Sequence, residues 1–168
     1  HGSPTLVPSE ALEQRLDLRL DPQWGQPGTT AGQQRLAVHL HVHYLDTLEP
    51  LLEALNRCRE GLAGCDLWVS TDSSAKASAI RSSIEGEVQV RVCSNRGRNL
   101  GPLLTTLWPE LKGYDLLLHL HGKRSVESEL GESWRQELLT TLLPDSATVQ
   151  QLRQSLERDA SLGLVMPQ

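Results

Sequence analysis

Cysteine is scarce in the sequence, and its spacing excludes the usual roles of the thiol. The chain has 168 residues and three cysteines, Cys58, Cys65 and Cys93. Their number is odd and no C-x-x-C pair occurs, so the sequence predicts neither a disulfide framework nor a zinc knuckle. We expect reduced thiols that pack as small apolar groups.

Long apolar runs and clustered positive charge are also missing. No stretch reaches the roughly 18 apolar residues of a membrane span, and the N-terminus lacks the layout of a signal peptide, which favours a soluble, cytoplasmic protein. The 16 Lys and Arg residues are scattered and face 21 Asp and Glu residues, for a net charge of -5. A nucleic acid partner is therefore not expected. The length predicts one main domain and is too short for a barrel of eight βα units.

Residues 1–34 are predicted to lie outside that domain. His1–Ser3 resembles a tag remnant, Ser9 is a candidate cap for a short helix, and Asp21–Gly32 has the Gly and Pro content of a loop.

Over residues 35–168, strand-like and helix-like stretches alternate. This alternation predicts a three-layer α/β/α fold with a mainly parallel sheet. The predicted strands are Leu36–Leu45, Asp66–Ser70, Glu87–Cys93, Asp115–Leu120 and Leu162–Met166. The predicted helices are Asp46–Arg59, a weak one within Thr71–Ser83, Leu100–Lys112, Ser133–Leu143 and Ser146–Ala160.

Three of these elements carry more specific expectations. The nearly continuous apolar run of Asp115–Leu120 is typical of a strand in the middle of a sheet. Strict alternation in Glu87–Cys93 predicts a half-buried or edge strand. Ser146 is the predicted N-cap of the last helix.

Polar residues follow each of the first four predicted strands. Ligands of open α/β sheets bind at the carboxyl ends of the strands, so these residues are the candidate site. They are His43, Tyr44 and Asp46, then Thr71 and Asp72, then Asn95 to Asn99, and finally His121, Gly122 and Lys123.

Histidines alternate along two of the predicted strands. His39, His41 and His43 share one face of the first strand, and His119 and His121 share one face of the fourth. If the two strands are neighbours, a metal site is conceivable. Histidines deep in a sheet more often satisfy hydrogen bonds, and no third group of ligands follows. We therefore expect no metal site, with a histidine-based metallohydrolase as the weakest functional alternative.

The segment Ser94–Gly101 joins a strand to a helix and has two glycines. It suits an anion, because backbone N–H groups converge at a helix start and Arg96 and Arg98 can add contacts to phosphate. Asn95 and Asn99 can read a base or a sugar. Asn and Gly also occur in such turns for backbone reasons alone, and no G-K-[ST] follows, so this is not a P-loop.

Two further groups of residues have both a functional and a structural interpretation. Lys123 and Arg124 can stabilise a diphosphate leaving group at the end of the fourth strand, or they are solvated loop charges. Trp134 and Arg135 either join the site or form an aromatic anchor beside a surface arginine.

The order of the segments HLHVHYLD, DLWVST, SNRGRNLGPLL, YDLLLHLHGKRS, WRQELLTTLLP and LGLVMP resembles the rhamnan synthesis protein F family. The likeness runs from about Leu36 to Pro167. It implies a nucleotide-binding domain of the GT-A type that transfers rhamnose or a related sugar from a nucleotide diphosphate donor, such as dTDP-rhamnose, to a bacterial glycan acceptor.

The resemblance also assigns candidate residues to the donor site. The N-R-G-R-D turn of the family matches Asn95, Arg96, Gly97 and Arg98, but Asn99 replaces its aspartate, and an amide binds a cation weakly. Its H-x-K-x-S element matches His121, Lys123 and Ser125, where many GT-A enzymes carry D-x-D for a metal. Its W-R pair matches Trp134 and Arg135. Diphosphate binding without a divalent metal is expected, and no cofactor is assigned.

The family domain normally continues past Pro167, so we expect this chain to be a GT-A-like donor half truncated at its C-terminal end. No catalytic residue is assigned. The alternative is a non-catalytic carbohydrate-binding or assembly domain, which Asn99 and the missing D-x-D favour. The resemblance adds the inner face of the cytoplasmic membrane as an alternative location, reached through parts outside this chain.

Overall fold

The part of the chain that the structure describes contains a sheet of four parallel strands. The computed structural model describes residues 34–122, 130–159 and 161–166. In these ranges the strands lie in the order β3-β2-β1-β4, and each neighbouring pair is parallel. Their bounds are Leu36–His41 for β1, Asp66–Thr71 for β2, Val88–Val92 for β3 and Leu116–His121 for β4.

Helices connect the strands. A short 3-10 turn, Leu45–Thr47, precedes α1, and a π-helical segment, Pro102–Leu107, runs directly into α3. The helices are Leu48–Arg57 for α1, Ser74–Ser83 for α2, Trp108–Leu111 for α3, Leu130–Leu142 for α4 and Ser146–Arg158 for α5.

Both faces of the sheet are covered, because β1 has buried side chains on each side. Val38 and Leu40 belong to a large apolar cluster with α1, α2, α4 and α5. Ala37 points to the other face, where it packs with Trp68 and Leu107 in a second cluster. This arrangement confirms the three-layer α/β/α prediction, and every described strand pair is parallel.

The prediction that Asp115–Leu120 lies in the middle of the sheet is wrong for the described residues. β4 is at one end of the sheet, and Leu117 is 37% exposed. An apolar run indicates that both faces of a strand are covered, but it carries no information about whether both edges are paired. β1 occupies an inner position, and all six of its residues are buried. β3 is at the opposite end, as its alternation predicted.

The predicted strand Leu162–Met166 is also absent from the described sheet. Residues 161–166 have no regular structure, and Leu164 and Met166 are 75% and 66% exposed. A short apolar segment becomes a strand only when a neighbour supplies ladder hydrogen bonds, and β4 does not pair with this segment here.

Several boundaries differ from the sequence prediction, and two of the differences have a clear local cause. β1 ends at His41 rather than Leu45, because the chain turns at Tyr44, whose carbonyl oxygen accepts from N and Oγ1 of Thr47 at 3.1 and 2.6 Å. The cap of α5 is Asp145, not Ser146, since the Asp145 carboxylate accepts from Thr148 N at 2.7 Å. Its extended backbone suits the capping position, and Ser146 is already helical.

The cysteines are free, as predicted. Cys58 and Cys65 are buried, and burial raises the pKa of both thiols, that of Cys65 to about 12. They therefore pack as neutral apolar groups. In the part of the chain that the structure describes, no helix has the length and apolar character of a membrane span. The helix predicted after Ser9 and the loop Asp21–Gly32 lie outside the described residues.

Candidate functional site

The strand order creates a topological switch point between β1 and β4. From β1 the chain moves outward through β2 and β3, and it then returns to the other side of β1 as β4. The connections on the two sides of this point run in opposite directions, and they leave a crevice at the carboxyl ends of the strands, where ligands of open α/β sheets bind. His43 and Tyr44 follow β1 at this point, and His121 ends β4.

One polar cluster at these strand ends is built around Asp72. Its Oδ2 lies 2.9 Å from Nδ1 of His43, and its Oδ1 lies 2.6 Å from Nζ of Lys76. Nζ of Lys76 also donates to the carbonyl oxygen of His43 at 2.6 Å. Tyr44 packs edge-on against the His43 ring, with centroids 4.5 Å apart. The cluster ties the ends of β1 and β2 together.

Charge keeps the Asp72 carboxyl ionised. Burial acts to raise its pKa, but the hydrogen bond and charge of Lys76, together with His43, outweigh burial and lower the pKa below its ordinary value. Lys76 was not among the site residues predicted from the sequence. Its position four residues after Asp72, at the start of a helix, was the available signal.

Thr71 contributes a spare hydroxyl beside this cluster. The residue is fully buried at the end of β2, and Oγ1 has no hydrogen-bond partner among the described residues. Its backbone carbonyl is used, because it accepts from N of Cys93 at 2.9 Å. A buried hydroxyl without a partner is costly, so Oγ1 of Thr71 is an exception among buried polar atoms.

A chain of side-chain hydrogen bonds crosses β4, β1 and β2 just inside these strand ends. Asn99 Nδ2 lies 3.3 Å from His119 Nε2, and His119 Nδ1 lies 2.9 Å from His39 Nδ1. His39 Nε2 lies 2.8 Å from Ser70 Oγ, which in turn lies 2.9 Å from His41 Nδ1. His39 and His119 are thus on neighbouring strands.

These three imidazoles are neutral at physiological pH. Burial, followed by the charges of His119 and His41, lowers the pKa of His39 to about 3. Burial is also the main cause that lowers the pKa of His41 and of His119 to about 4, with neighbouring histidines adding to it. The histidines satisfy hydrogen bonds inside the sheet, the ordinary role of buried imidazoles.

The loop after β3 crosses the carboxyl end of the sheet. It begins after Val92 at one edge, and Asn99 reaches His119 of β4 at the other. Four parallel strands make this a span of roughly 14 Å. Arg96 and Arg98 are both exposed on the loop. The predicted anion segment thus runs from the β3 edge of the sheet to the β4 edge.

Backbone geometry holds this loop in one shape. Gly97 has φ 79° and Arg98 has φ 54°, and Gly101 N donates to the carbonyl oxygen of Gly97 at 2.9 Å. A Cβ at position 101 would overlap the carbonyl oxygen of Arg96, so only glycine fits. Positive φ is strained for arginine, and such strain often accompanies function.

A second close approach fixes the switch point itself. Gly122 N donates to the carbonyl oxygen of His41 at 3.1 Å, and a Cβ on Gly122 would overlap Oγ1 of Thr47. The turn after β1 and the end of β4 are therefore in direct contact. Gly122 is required for this packing, and His121 precedes it at the end of β4.

The remaining predicted site residues are less well placed. Asn95 is exposed on the crossing loop. Arg135 shares a face of α4 with Leu139, which packs in the large apolar cluster, so its assignment to a donor site stays a prediction. Trp134 is 45% exposed. Lys123, Arg124 and Ser125 lie outside the described residues.

The arrangement gives the metallohydrolase alternative no support. Within the described ranges, no three His, Cys, Asp or Glu residues are grouped so that they could hold a metal ion. His39 uses both ring nitrogens in hydrogen bonds, which leaves no lone pair for a metal.

The described surface also has a polar hollow away from the strand ends. Its volume is about 470 Å³, and it lies where α1 ends and α5 begins, at the amino-terminal edge of the sheet. It is lined by Asn56, Arg57, Arg59, Glu60, Asp145, Ser146 and Ala147. Ligands of open α/β sheets bind at the carboxyl ends of the strands, so the opposite edge of the sheet is the candidate site.

The comparisons with known proteins give one family match and two relatives. Residues 21–168 match the sequence profile described as Rhamnan synthesis protein F. Two curated relatives, both named "Uncharacterized protein WxcX", come from Xanthomonas campestris pv. campestris strains B100 and ATCC 33913, and each is 31% identical over 134 residues. The match covers 78% of this chain but only 19% of either relative. No solved structure matches the chain.

Proposed function

The chain belongs to the rhamnan synthesis protein F family, which connects it with polysaccharide synthesis, and from this premise we propose that it holds the donor site of a glycosyltransferase. The proposed ligand is a nucleoside diphosphate sugar, with dTDP-rhamnose as the first candidate. The chain spans about a fifth, 19%, of the length of its curated relatives, so transfer to a glycan acceptor is a proposal about the longer protein.

The observation that carries the proposal is the group of polar side chains at the carboxyl ends of β1 and β2, beside the switch point. Thr71 offers a buried hydroxyl that lacks a partner among the described residues. Asp72 follows Thr71 in the chain, and its carboxylate lies 2.9 Å from Nδ1 of His43. Such a set of fixed polar groups at the carboxyl end of a parallel sheet is typical of a small-molecule site.

The loop that crosses the strand ends supplies positive charge. Arg96 and Arg98 are exposed there, on the turn that leads into the helical segment. Guanidinium groups and helix-start amides both favour phosphate oxygens. We therefore assign the diphosphate to this loop.

Metal-independent binding follows from the same charges. Asp72, the carboxylate between β2 and α2, is already in contact with Lys76 and His43. A carboxylate engaged in this way is a poor ligand for a divalent cation, whereas arginines supply the countercharge of a diphosphate directly.

Calorimetry tests the proposal. Titration with dTDP, UDP and their sugars should give saturable heat that EDTA leaves unchanged, and the free nucleosides should give none. Arg98→Ala should weaken diphosphate binding by roughly 10- to 100-fold, which corresponds to the about 1.5–3 kcal/mol of a hydrogen bond to a charged group.

The matched control is Arg158→Ala, which removes an exposed arginine at the end of α5. It should leave the affinity unchanged. Equal losses in both variants would point to a general charge effect. No heat with any diphosphate at millimolar concentration would contradict the donor-site proposal.

One observation favours a second candidate, a non-catalytic carbohydrate-binding domain. Asp72 is paired with Lys76, and Asn99 is an amide within hydrogen-bonding distance of His119, so neither side chain is poised as a general base. Incubation of the full-length protein with a nucleotide sugar separates the two candidates. Release of nucleoside diphosphate supports the transferase, and sugar binding without release supports the binding domain.

A further inference from the structure

The hydrogen-bond chain from Asn99 to His41 has a direction, and an amide sets it. The two ends of an asparagine amide are different, because nitrogen only donates and oxygen only accepts. Nδ2 of Asn99 faces Nε2 of His119 at 3.3 Å. His119 Nε2 must then accept, so the single proton of this neutral ring is on Nδ1.

The bonds from His119 to Ser70 follow from the same rule. His119 Nδ1–H donates to His39 Nδ1, which places the His39 proton on Nε2. His39 Nε2–H donates to Ser70 Oγ. Ser70 Oγ lies 2.9 Å from His41 Nδ1, and the relay assigns the hydroxyl proton of Ser70 to this bond, with the proton of His41 on Nε2. Each neutral imidazole in the relay accepts a hydrogen bond at one ring nitrogen and has its N–H at the other.

We propose that Asn99 fixes the tautomer of His41 through this relay and so makes His41 a neutral N–H donor at the switch point. His41 ends β1, pairs in register with Ser70 and His121, and senses the charges of His43, Asp72 and Lys76. It therefore belongs to both the relay and the strand-end cluster. Asn99, His119, His39 and Ser70 are positioning residues that act through it.

The consequence for a ligand rests on the proposed function. A neutral N–H donor binds an oxygen that only accepts, such as a phosphate, a carboxylate or a carbonyl group. With the relay reversed, Nε2 of His41 would present a lone pair, which repels such an oxygen. The amide at position 99 thereby selects the class of ligand atom beside His41.

Nitrogen-15 NMR of the histidine rings in the free protein tests the relay without any ligand. At about pH 8 the rings of His39, His41 and His119 are neutral, because their pKa values are about 3, 4 and 4. The expected tautomers are Nδ1–H for His119 and Nε2–H for both His39 and His41.

Asn99→Asp is the decisive variant, since a carboxylate accepts only. His119 must then donate from Nε2, and the direction of every later bond reverses. The expected result is inversion of all three tautomers, to Nε2–H for His119 and Nδ1–H for His39 and His41. Unchanged tautomers of His39 and His41 would overturn the proposal, including the case in which His119 alone takes up a second proton.

Two further variants separate the relay from a simple charge effect. Asn95→Asp places the same new charge on the same loop at an exposed position, and it should invert nothing. In Asn99→Asp combined with Ser70→Ala, His119 and His39 should invert while His41 no longer responds, because the link at Ser70 is gone. Inversion by Asn95→Asp, or inversion of His41 without Ser70, would contradict the relay.

The ligand consequence has its own measurement. Asn99→Asp should weaken nucleoside diphosphate binding at least tenfold, while Asn95→Asp weakens it less. A complete absence of binding in the parent protein would defeat the proposed function but leave the NMR result on the relay standing. Tautomer inversion without any change of affinity would restrict the relay to a structural role and overturn the part assigned to His41.

Discussion

Nδ1 of His39 and Nδ1 of His119 lie 2.9 Å apart, in a hydrogen bond between β1 and β4 that requires one ring to donate and the other to accept. These two strands flank the topological switch point. The contact therefore places a polar link at the one position in the sheet where strand order changes direction. The stability of this link depends on both rings remaining neutral.

Acid should weaken the fold earlier than carboxylate titration alone predicts. The pKa of His39 in the folded protein is about 3, and those of His41 and His119 are about 4, all below the ordinary 6.5. The unfolded chain therefore binds more protons between these values. The contribution of these histidines to the free energy of unfolding is fully present above about pH 6.5. It is lost as the pH falls toward 4, by up to about 1.4 kcal/mol per pH unit for each histidine.

Urea denaturation over a series of pH values measures this loss. Near pH 5 the slope of the free energy of unfolding against pH should correspond to the uptake of about three protons on unfolding. His119→Gln removes one titrating ring, so the slope should decrease by about one proton, whatever the absolute stability of the variant. A slope that is flat between pH 6.5 and 5 would show that the three rings are not held neutral.

Arg98 should lower the stability of the fold and strengthen nucleoside diphosphate binding. Its φ of 54° is in the left-handed region, which costs a residue with a Cβ about 1–2 kcal/mol and costs glycine little. Arg98→Gly should raise the free energy of unfolding by about 1 kcal/mol and weaken nucleoside diphosphate binding. Arg96, which lacks a positive φ, is the control, because Arg96→Gly should not stabilise the protein. Denaturant unfolding and calorimetry on the same samples decide the matter.

Gly101 should be intolerant of any side chain. In Gly101→Ala the new Cβ overlaps the carbonyl oxygen of Arg96, so the loop must move, at a cost of roughly 1–3 kcal/mol of stability. At Gly113 a Cβ meets open space, and Gly113→Ala should change stability by less than about 0.5 kcal/mol. Thermal unfolding of the two variants compares them, and equal midpoints would contradict the tight turn.

Much of the fold was predictable because short local sequence patterns determine the individual strands and helices. The β-forming run beginning at Leu36 and the helical leucine spacing of Leu48–Leu55 have local causes, and the structure has β1 and α1 there. Edge or centre position has no such local signal. The apolar run of β4 predicted the middle of the sheet, whereas strand pairing over long range decided the order.

The candidate site was predictable in position but not in its contacts. The strand-end rule collected His43, Asp72 and Asn99 from sequence alone. It could not show that Lys76 holds Asp72, or that Ser70 joins His39 to His41, because these contacts depend on strand register and side-chain direction. Ser70 in particular has no sequence signal. It is one serine in a buried strand, and its role comes from lying between two histidines of the neighbouring strand.

The most direct test of the donor-site account is a map of where a nucleoside diphosphate binds. Backbone amide NMR of the nitrogen-15-labelled protein, titrated with dTDP and with UDP in the presence of EDTA, gives this map. We expect dose-dependent shifts at residues 43–44, 71–72, 95–99 and 121–122, and no shifts at the hollow formed by Asn56 and Ser146. Shifts confined to that hollow, or none at millimolar concentrations of either nucleotide, would contradict the account.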